Sequence, residues 1–278
     1  MTPADPYRVP IAVIEPDQLD ASHDLTVQVT SAELYAQAHI PTAVLVTPQE
    51  LVCGIPPATG RLPDAAALNN LFTRIGYTPA KRVVVYDDEG GGWAGRLGWT
   101  LDVIGHTNWA YLDGGLHSYA HAGLSLANGM DGASAANPTA VTVTIHAAPI
   151  AEIEDVLAAI DDPSQMLWDV RSAEEHAGLR QAAARVGHIP GAKNFDWLGL
   201  KDPEQQQRLS KAAPAQLAAL GIDGSSALIT HCQTHHRSGL SYMWGRINGW
   251  SIKAYHGSWS EWGNRDDTPI HNPSAPQG

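Results

Sequence analysis

The chain repeats itself, and that repeat limits the folds open to it. Val27-Gln28-Val29-Thr30-Ser31-Ala32-Glu33 stands ahead of His39-Ile40-Pro41-Thr42-Ala43. In the second half Trp168-Asp169-Val170-Arg171-Ser172-Ala173-Glu174 stands ahead of His188-Ile189-Pro190-Gly191-Ala192. Further on, Val83-Val84-Val85-Tyr86-Asp87 matches Ala227-Leu228-Ile229-Thr230-His231-Cys232, each an apolar strand running into a polar loop. Tyr111-Leu112-Asp113-Gly114-Gly115 then parallels Ala254-Tyr255-His256-Gly257-Ser258. Strands alternating with helices in each half predict an α/β fold, a central mainly parallel sheet with helices on both faces. Duplication predicts two such domains in tandem.

A length of 278 residues leaves room for two domains, each burying its own core. Gly123 to Pro138, rich in Gly, Ala, Ser and Asn, reads as a linker. The expected division is an N-terminal domain over 1–125, a linker over 126–148 and a C-terminal domain over 149–278. Val141 to Ile145 alternates β-branched residues and leads into the second domain. Ile150 to Ile160 carries apolar residues at helical spacing, with acidic residues near its start as the helix dipole prefers.

The net charge of −12 argues against nucleic acid or an anionic membrane surface as the partner. Attraction for an anionic substrate must therefore be local. No stretch reaches the ~18 apolar residues of a membrane helix, and the proline-broken start is unlike a secretory signal, so the expected location is the cytoplasm. The two cysteines, Cys53 and Cys232, lie in contexts too different to suggest a staple.

The two strand-ending loops differ in chemistry. Cys232 falls between the strand Ala227 to Thr230 and an apolar-periodic run from Gly239 to Ile247 that reads as a helix. A thiol there faces unpaired backbone N–H groups at the positive end of a helix dipole, which lowers its pKa and makes it a nucleophile. Gln233, Thr234, His235, His236 and Arg237 are expected to turn their amides toward the sulfur, with Ser238-Gly239 opening the helix. Arg237, His235 and His236 supply local positive potential, the arginine permanently and the histidines in part. In the first half Asp87 takes the cysteine's place and Asp88-Glu89-Gly90-Gly91-Gly92 follows, so that copy is expected to be catalytically silent. An inert buried thiol is the bland alternative for Cys232, and a structural role is the better reading of Cys53. Zinc ligation by His231, Cys232, His235 and His236 is disfavoured, because one short loop does not present tetrahedral geometry; no metal is expected. Asp169 with Arg171 reads as a structural ion pair at a strand end, and His188 as a turn-fixing residue.

These motifs, in this order, resemble those of the two-domain rhodaneses, from about Pro16 to Thr268. His188-Ile189-Pro190-Gly191-Ala192 resembles the family's H-[LIV]-P-G-A motif. Tyr255-His256-Gly257-Ser258-Trp259-Ser260-Glu261-Trp262 resembles its C-terminal signature. Asp87-Asp88-Glu89-Gly90-Gly91-Gly92-Trp93-Ala94 looks like the group's inactive N-terminal domains. The resemblance implies two rhodanese-like domains and a thiosulfate:cyanide sulfurtransferase working by double displacement through a persulfide on Cys232, without metal or organic cofactor. It also implies a donor-binding arginine; the matching position falls near Glu175 or His176, so Arg180 and Arg185 are the candidate anion contacts. The loop Cys232 to Arg237 matches neither the common thiosulfate loop, C-R-K-G-V-T, nor the mercaptopyruvate loop, C-G-S-G-V-T. Four residues separate Cys232 from Arg237, one fewer than the phosphate cradle C-x-x-x-x-x-R of phosphatases. The partners implied are a small anionic donor, thiosulfate, and cyanide or a thiol as acceptor. The alternatives are a 3-mercaptopyruvate sulfurtransferase, a persulfide carrier delivering sulfur to an acceptor protein, and an inert interaction module.

Overall fold

A computed structural model describes residues 5–275. In the first half β1 (Ala12–Ile14), β2 (Asp24–Val29), β3 (Val44–Val46), β4 (Arg82–Tyr86) and β5 (Trp109–Leu112) form a sheet in the order β1-β5-β4-β2-β3. In the second half come β6 (Ile150–Ala151), β7 (Gln165–Asp169) and β8 (Lys193–Asn194). A small antiparallel pair follows, β9 (Lys201–Asp202) and β10 (Arg208–Leu209), then β11 (Ala227–His231) and β12 (Ile252–Tyr255). The second sheet runs β6-β12-β11-β7-β8, the order of the first sheet position for position. Every neighbouring pair in both five-stranded sheets is parallel. Parallel strands covered on both faces lose the alternation of a half-exposed sheet, and β2 accordingly buries all of its residues.

The helices are α1 (Ala32–Gln37), α2 (Ala65–Arg74), α3 (Gly92–Val103), α4 (Gly115–His121), α5 (Ile153–Ile160), α6 (Ala173–His176), α7 (Ala213–Ala219), α8 (Arg237–Ile247) and α9 (Ser258–Trp262). Side-chain caps set several starts: Ser31 accepts from the Leu34 amide, Asp64 from Ala67 and Ser172 from Glu175. The helix expected over Ile150 to Ile160 begins later. Ile150 and Ala151 pair with β12 as an edge strand, and Glu152 caps α5 at Ile153.

The two halves do not keep separate cores. Val27, Val83, Val85, Leu97 and Trp109 of the first half and Trp168, Leu228, Leu240, Met243 and Trp244 of the second belong to one continuous apolar cluster. Only the outer face of each sheet has a cluster of its own. The equivalent helices α3 and α8 meet inside the shared core. A Cβ on Gly95 would lie 2.2 Å from the Gly239 carbonyl oxygen, and one on Gly239 would lie 2.4 Å from that of Gly92, so only glycine permits the approach. Lower down, Asp102 of α3 and Arg246 of α8 form a fully buried ion pair, Nε to Oδ2 2.6 Å. Tyr242 Oη and Trp109 Nε1 donate to the same carboxylate at 2.8 and 2.9 Å.

The segment expected as a linker is tied to the first half. Leu45 N donates to Ala133 O, Ala135 N to Arg74 O, and His39 and Ala127 exchange backbone hydrogen bonds. Val141 N donates to Thr73 Oγ1 and Val143 N to Asn69 Oδ1, so the β-branched alternation seats two valines against the shared core. Among the described residues no helix is long and apolar enough to cross a membrane.

Candidate active site

β4 and β11 are equivalent central strands, and the residue after each is the point where the halves diverge: Asp87 after β4, Cys232 after β11. In the first half the loop closes on its own carboxylate. Asp87 Oδ1 accepts from the amides of Glu89, Gly90 and Gly91 at 3.2, 3.0 and 2.8 Å, and Oδ2 accepts from Ala94 N at 3.0 Å. Successive amides curled around an anion form a nest. Burial, then the neighbouring Glu89, push the Asp87 carboxyl up to about 6 against the pull of those amides.

In the second half a thiol stands there instead, only 1% exposed. Ser238 Oγ donates to Cys232 Sγ at 3.5 Å. Burial alone would raise the thiol pKa; the Arg237 charge, the Ser238 hydroxyl and amide, and His236 outweigh it and hold the thiol below its ordinary range. The helix behind this loop starts at Arg237, two residues earlier than its apolar spacing suggests, so Ser238 belongs to its first turn.

The expected convergence of amides on the sulfur is only partial. The Cys232 and His235 amides both donate to Ser258 Oγ, at 3.3 and 3.1 Å, and that hydroxyl donates to Tyr255 O at 2.9 Å. Ser258 thus clamps the two ends of the loop's tightest turn. Its φ of 52° is left-handed, matching the φ of 54° at its counterpart Gly115. A Cβ on Gly115 would sit 2.2 Å from Asp87 O, so the first half closes there without a side chain, while the second half uses a serine as the clasp.

The remaining loop residues divide by environment. His235, at φ 54°, is fully buried, with Nδ1 2.7 Å from Ser238 Oγ and its ring edge-on to Trp99. Because the Ser238 hydroxyl donates to sulfur, His235 donates through Nδ1. Burial, with Arg96, His256 and His236 nearby, holds its pKa well below the ordinary histidine range. His235 is therefore not a source of positive potential, contrary to the expectation from sequence; it is a neutral strut for Ser238. His236 lies nearer the surface, stacked on Trp93 at 4.3 Å and hydrogen-bonded through Nε2 to Glu89 Oε1, both from the first half. Arg237 is the loop's cation, but not a free one: it makes a two-pronged pair with Glu175 at 2.6 and 3.0 Å. Gln233 Nε2 donates to Ala182 O at 2.8 Å, and the Thr234 carbonyl packs against Gly60. The loop is therefore enclosed rather than exposed.

Of the candidate anion contacts, Arg185 is committed elsewhere, donating to the carbonyls of Thr268 and Trp262 at 2.9 and 3.0 Å and to Thr268 Oγ1. Arg180 is a surface side chain. Sequence reasoning did not identify Ser258 as a site residue and met Glu175 only as a position matching the family's donor-binding arginine; both reach the loop across long stretches of chain. The repeat held a signal for Ser258, the only serine opposite the Gly114-Gly115 pair. Asp169 and Arg171 form a buried pair, Arg171 Nη2 to Asp169 Oδ2 2.6 Å, flanked by His176 Nδ1 at 3.0 Å. His188 Nδ1 hydrogen-bonds His176 O and its ring stacks on that of His176, fixing the turn before Pro190.

Comparison with known proteins places this arrangement. The rhodanese-like domain matches twice, over residues 16–122 and 152–265. A thiosulfate sulfurtransferase of Azotobacter vinelandii is 42% identical over 263 residues, covering 93% of this chain and 96% of that protein. One from Pseudomonas aeruginosa is 43% identical with the same coverage. Among solved structures, an anaerobic ergothioneine biosynthesis enzyme from Chlorobium limicola superposes with a TM-score of 0.81 at 18% identity, over 95% of this chain and 71% of its own, a likeness of fold.

Proposed function

Since the chain belongs to the rhodanese-like family, with two such domains in tandem, we propose that Cys232 is the nucleophile of a thiosulfate sulfurtransferase and the first half its silent partner. The observation that carries this reading is the enclosed Cys232 thiol, held below its ordinary pKa by Arg237 and Ser238 at the start of α8. The thiolate attacks the outer sulfur of thiosulfate, forming an S–S bond. The bond to the sulfonate breaks with its electron pair, sulfite leaves, and Cys232 carries a persulfide. Cyanide or a thiol then attacks the terminal sulfur; the electron pair of the S–S bond returns to Cys232, and thiocyanate or the acceptor persulfide departs. Both steps exchange anions at one atom, so the site must favour negative charge without trapping it.

A thiol so nearly buried suits a small donor, and Arg237 favours an anionic one. Its pairing with Glu175 tempers the charge, which helps sulfite leave. The nest of the first half is filled by the Asp87 carboxylate, so no nucleophile can be loaded there. Both thiols are free, in keeping with a reducing cytoplasm.

Steady-state assay of thiocyanate formation from thiosulfate and cyanide tests the reading. Cys232→Ser should abolish turnover and the gain of one sulfur seen by intact mass after thiosulfate loading, while Cys53→Ser retains both. Efficient pyruvate release from 3-mercaptopyruvate with thiosulfate inert would assign a different donor.

A further inference from the structure

We infer that Arg96, supplied by the first half, is a positioning residue for the second half's loop, its buried guanidinium fixing the His235 carbonyl and adding to Arg237 a second positive charge against which Cys232 carries its anion. Arg96 projects from α3 and is 0% exposed. Its Nη1 donates to Gly60 O at 2.8 Å and His235 O at 3.3 Å; its Nη2 donates to Leu51 O at 2.5 Å and Arg61 O at 3.4 Å. Its Nε has no hydrogen-bond partner. Among the described residues no carboxylate pairs with it; the groups that answer its charge are the thiols of Cys232 and Cys53. The other titratable groups facing it are His235 and His256, whose pKa values burial pushes down, with Arg96 among the contributing charges.

A buried cation without a counter-anion is expensive, and carbonyl dipoles repay only part of that cost. Here the counter-anion is one the reaction makes. Burial draws the guanidinium down to about 9, so it remains charged at neutral pH, and the nearby thiols pull the other way. Every other buried arginine among the fully enclosed ones has a carboxylate: Arg171 has Asp169 and Arg246 has Asp102. Arg96 differs, and its guanidinium binds the carbonyl of His235, in the loop that carries the thiol. Its bond to His235 O also holds the left-handed turn that seats Ser238 against the sulfur. The catalytically silent half thereby has a task in the chemistry of the other.

The inference rests on the sulfurtransferase reading only for its effect on turnover; its direct readout is the thiol itself. In a Cys53→Ser background, the rate of alkylation by iodoacetamide against pH gives the midpoint at which Cys232 becomes a thiolate. Arg96→Gln, neutral but still able to donate to carbonyls, should raise that midpoint by about one pH unit, and Arg96→Lys by less. The kcat for thiosulfate should fall as the midpoint rises, with circular dichroism confirming the fold. An unmoved midpoint in Arg96→Gln, or in Arg96→Lys if only that variant folds, overturns the inference. A raised midpoint in the variant, with the wild-type protein itself inert toward thiosulfate, would leave Arg96 in place and sink the sulfurtransferase reading instead.

Discussion

Among the side chains that shape the Cys232 sulfur, three act by different means. Ser238 touches it, Arg237 supplies a field, and Ser258 never reaches it but holds the backbone on either side. The Ser258 clamp can be separated from the strain of its left-handed backbone. Ser258→Gly removes the hydroxyl and relieves the strain; Ser258→Ala removes the hydroxyl and keeps it, a difference of about 1 kcal/mol. Two buried amides lose their acceptor in both variants, at about 1–3 kcal/mol each where water cannot replace it. We expect both variants to lose about tenfold or more in thiosulfate turnover, with the glycine variant melting higher than the alanine one. A glycine variant turning over at the wild-type rate would show that the clamp is irrelevant. Residues of this kind mark the limit of what could be read from sequence. Cys232 announced itself because strand, polar loop and helix are local patterns. Ser258, Glu175 and Arg96 reach the loop from distant parts of the chain, and His235 lost its expected charge to burial that no local pattern encodes.

At the scale of elements, the long strands and amphipathic helices were legible because parallel sheets need apolar runs and helices need periodicity. The two-residue strands β6 and β8 were not, since so short a segment carries no period of its own. Nor was the contact of α3 with α8, which depends on glycines whose spacing is unremarkable within either helix. Gly239→Ala makes the contact measurable because two effects oppose. Alanine stabilises a helix by up to about 1 kcal/mol relative to glycine. Its Cβ here would lie 2.4 Å from Gly92 O and 2.5 Å from Arg96 N, and overpacking of this kind costs about 1–3 kcal/mol. The steric term should win, lowering the melting temperature and, through the displaced start of α8, thiosulfate turnover. A variant that melts higher than wild type would mean that the helices part without cost.

The whole molecule should be acid-labile. Burial brings His231 down to about 4 and His235 well below the ordinary range, while both protonate near pH 6.5 once unfolded. The unfolded chain then binds more protons, so stability is lost as pH falls from about 6.5 toward 4. Asp87 works in the opposite sense. Its folded value of about 6 lies above its unfolded one, so its contribution is full in acid and is lost as pH rises through 6. Two histidines outweigh one carboxyl, and the melting temperature should drop across that window; it should drop more steeply in Asp87→Asn. A flat profile in both proteins would contradict these assignments. The duplication itself was visible in the sequence, but the fusion of two cores into one was not, because the inward faces of both sheets read alike whether they meet each other or not. The carboxylate seated in the Asp87 loop has a consequence for descent. On the proposal that the first half is silent, a bend that grips a permanently tethered anion lets one member of a duplicated pair retire from chemistry. The retired member keeps its shape, and with it every surface on which its active sibling leans.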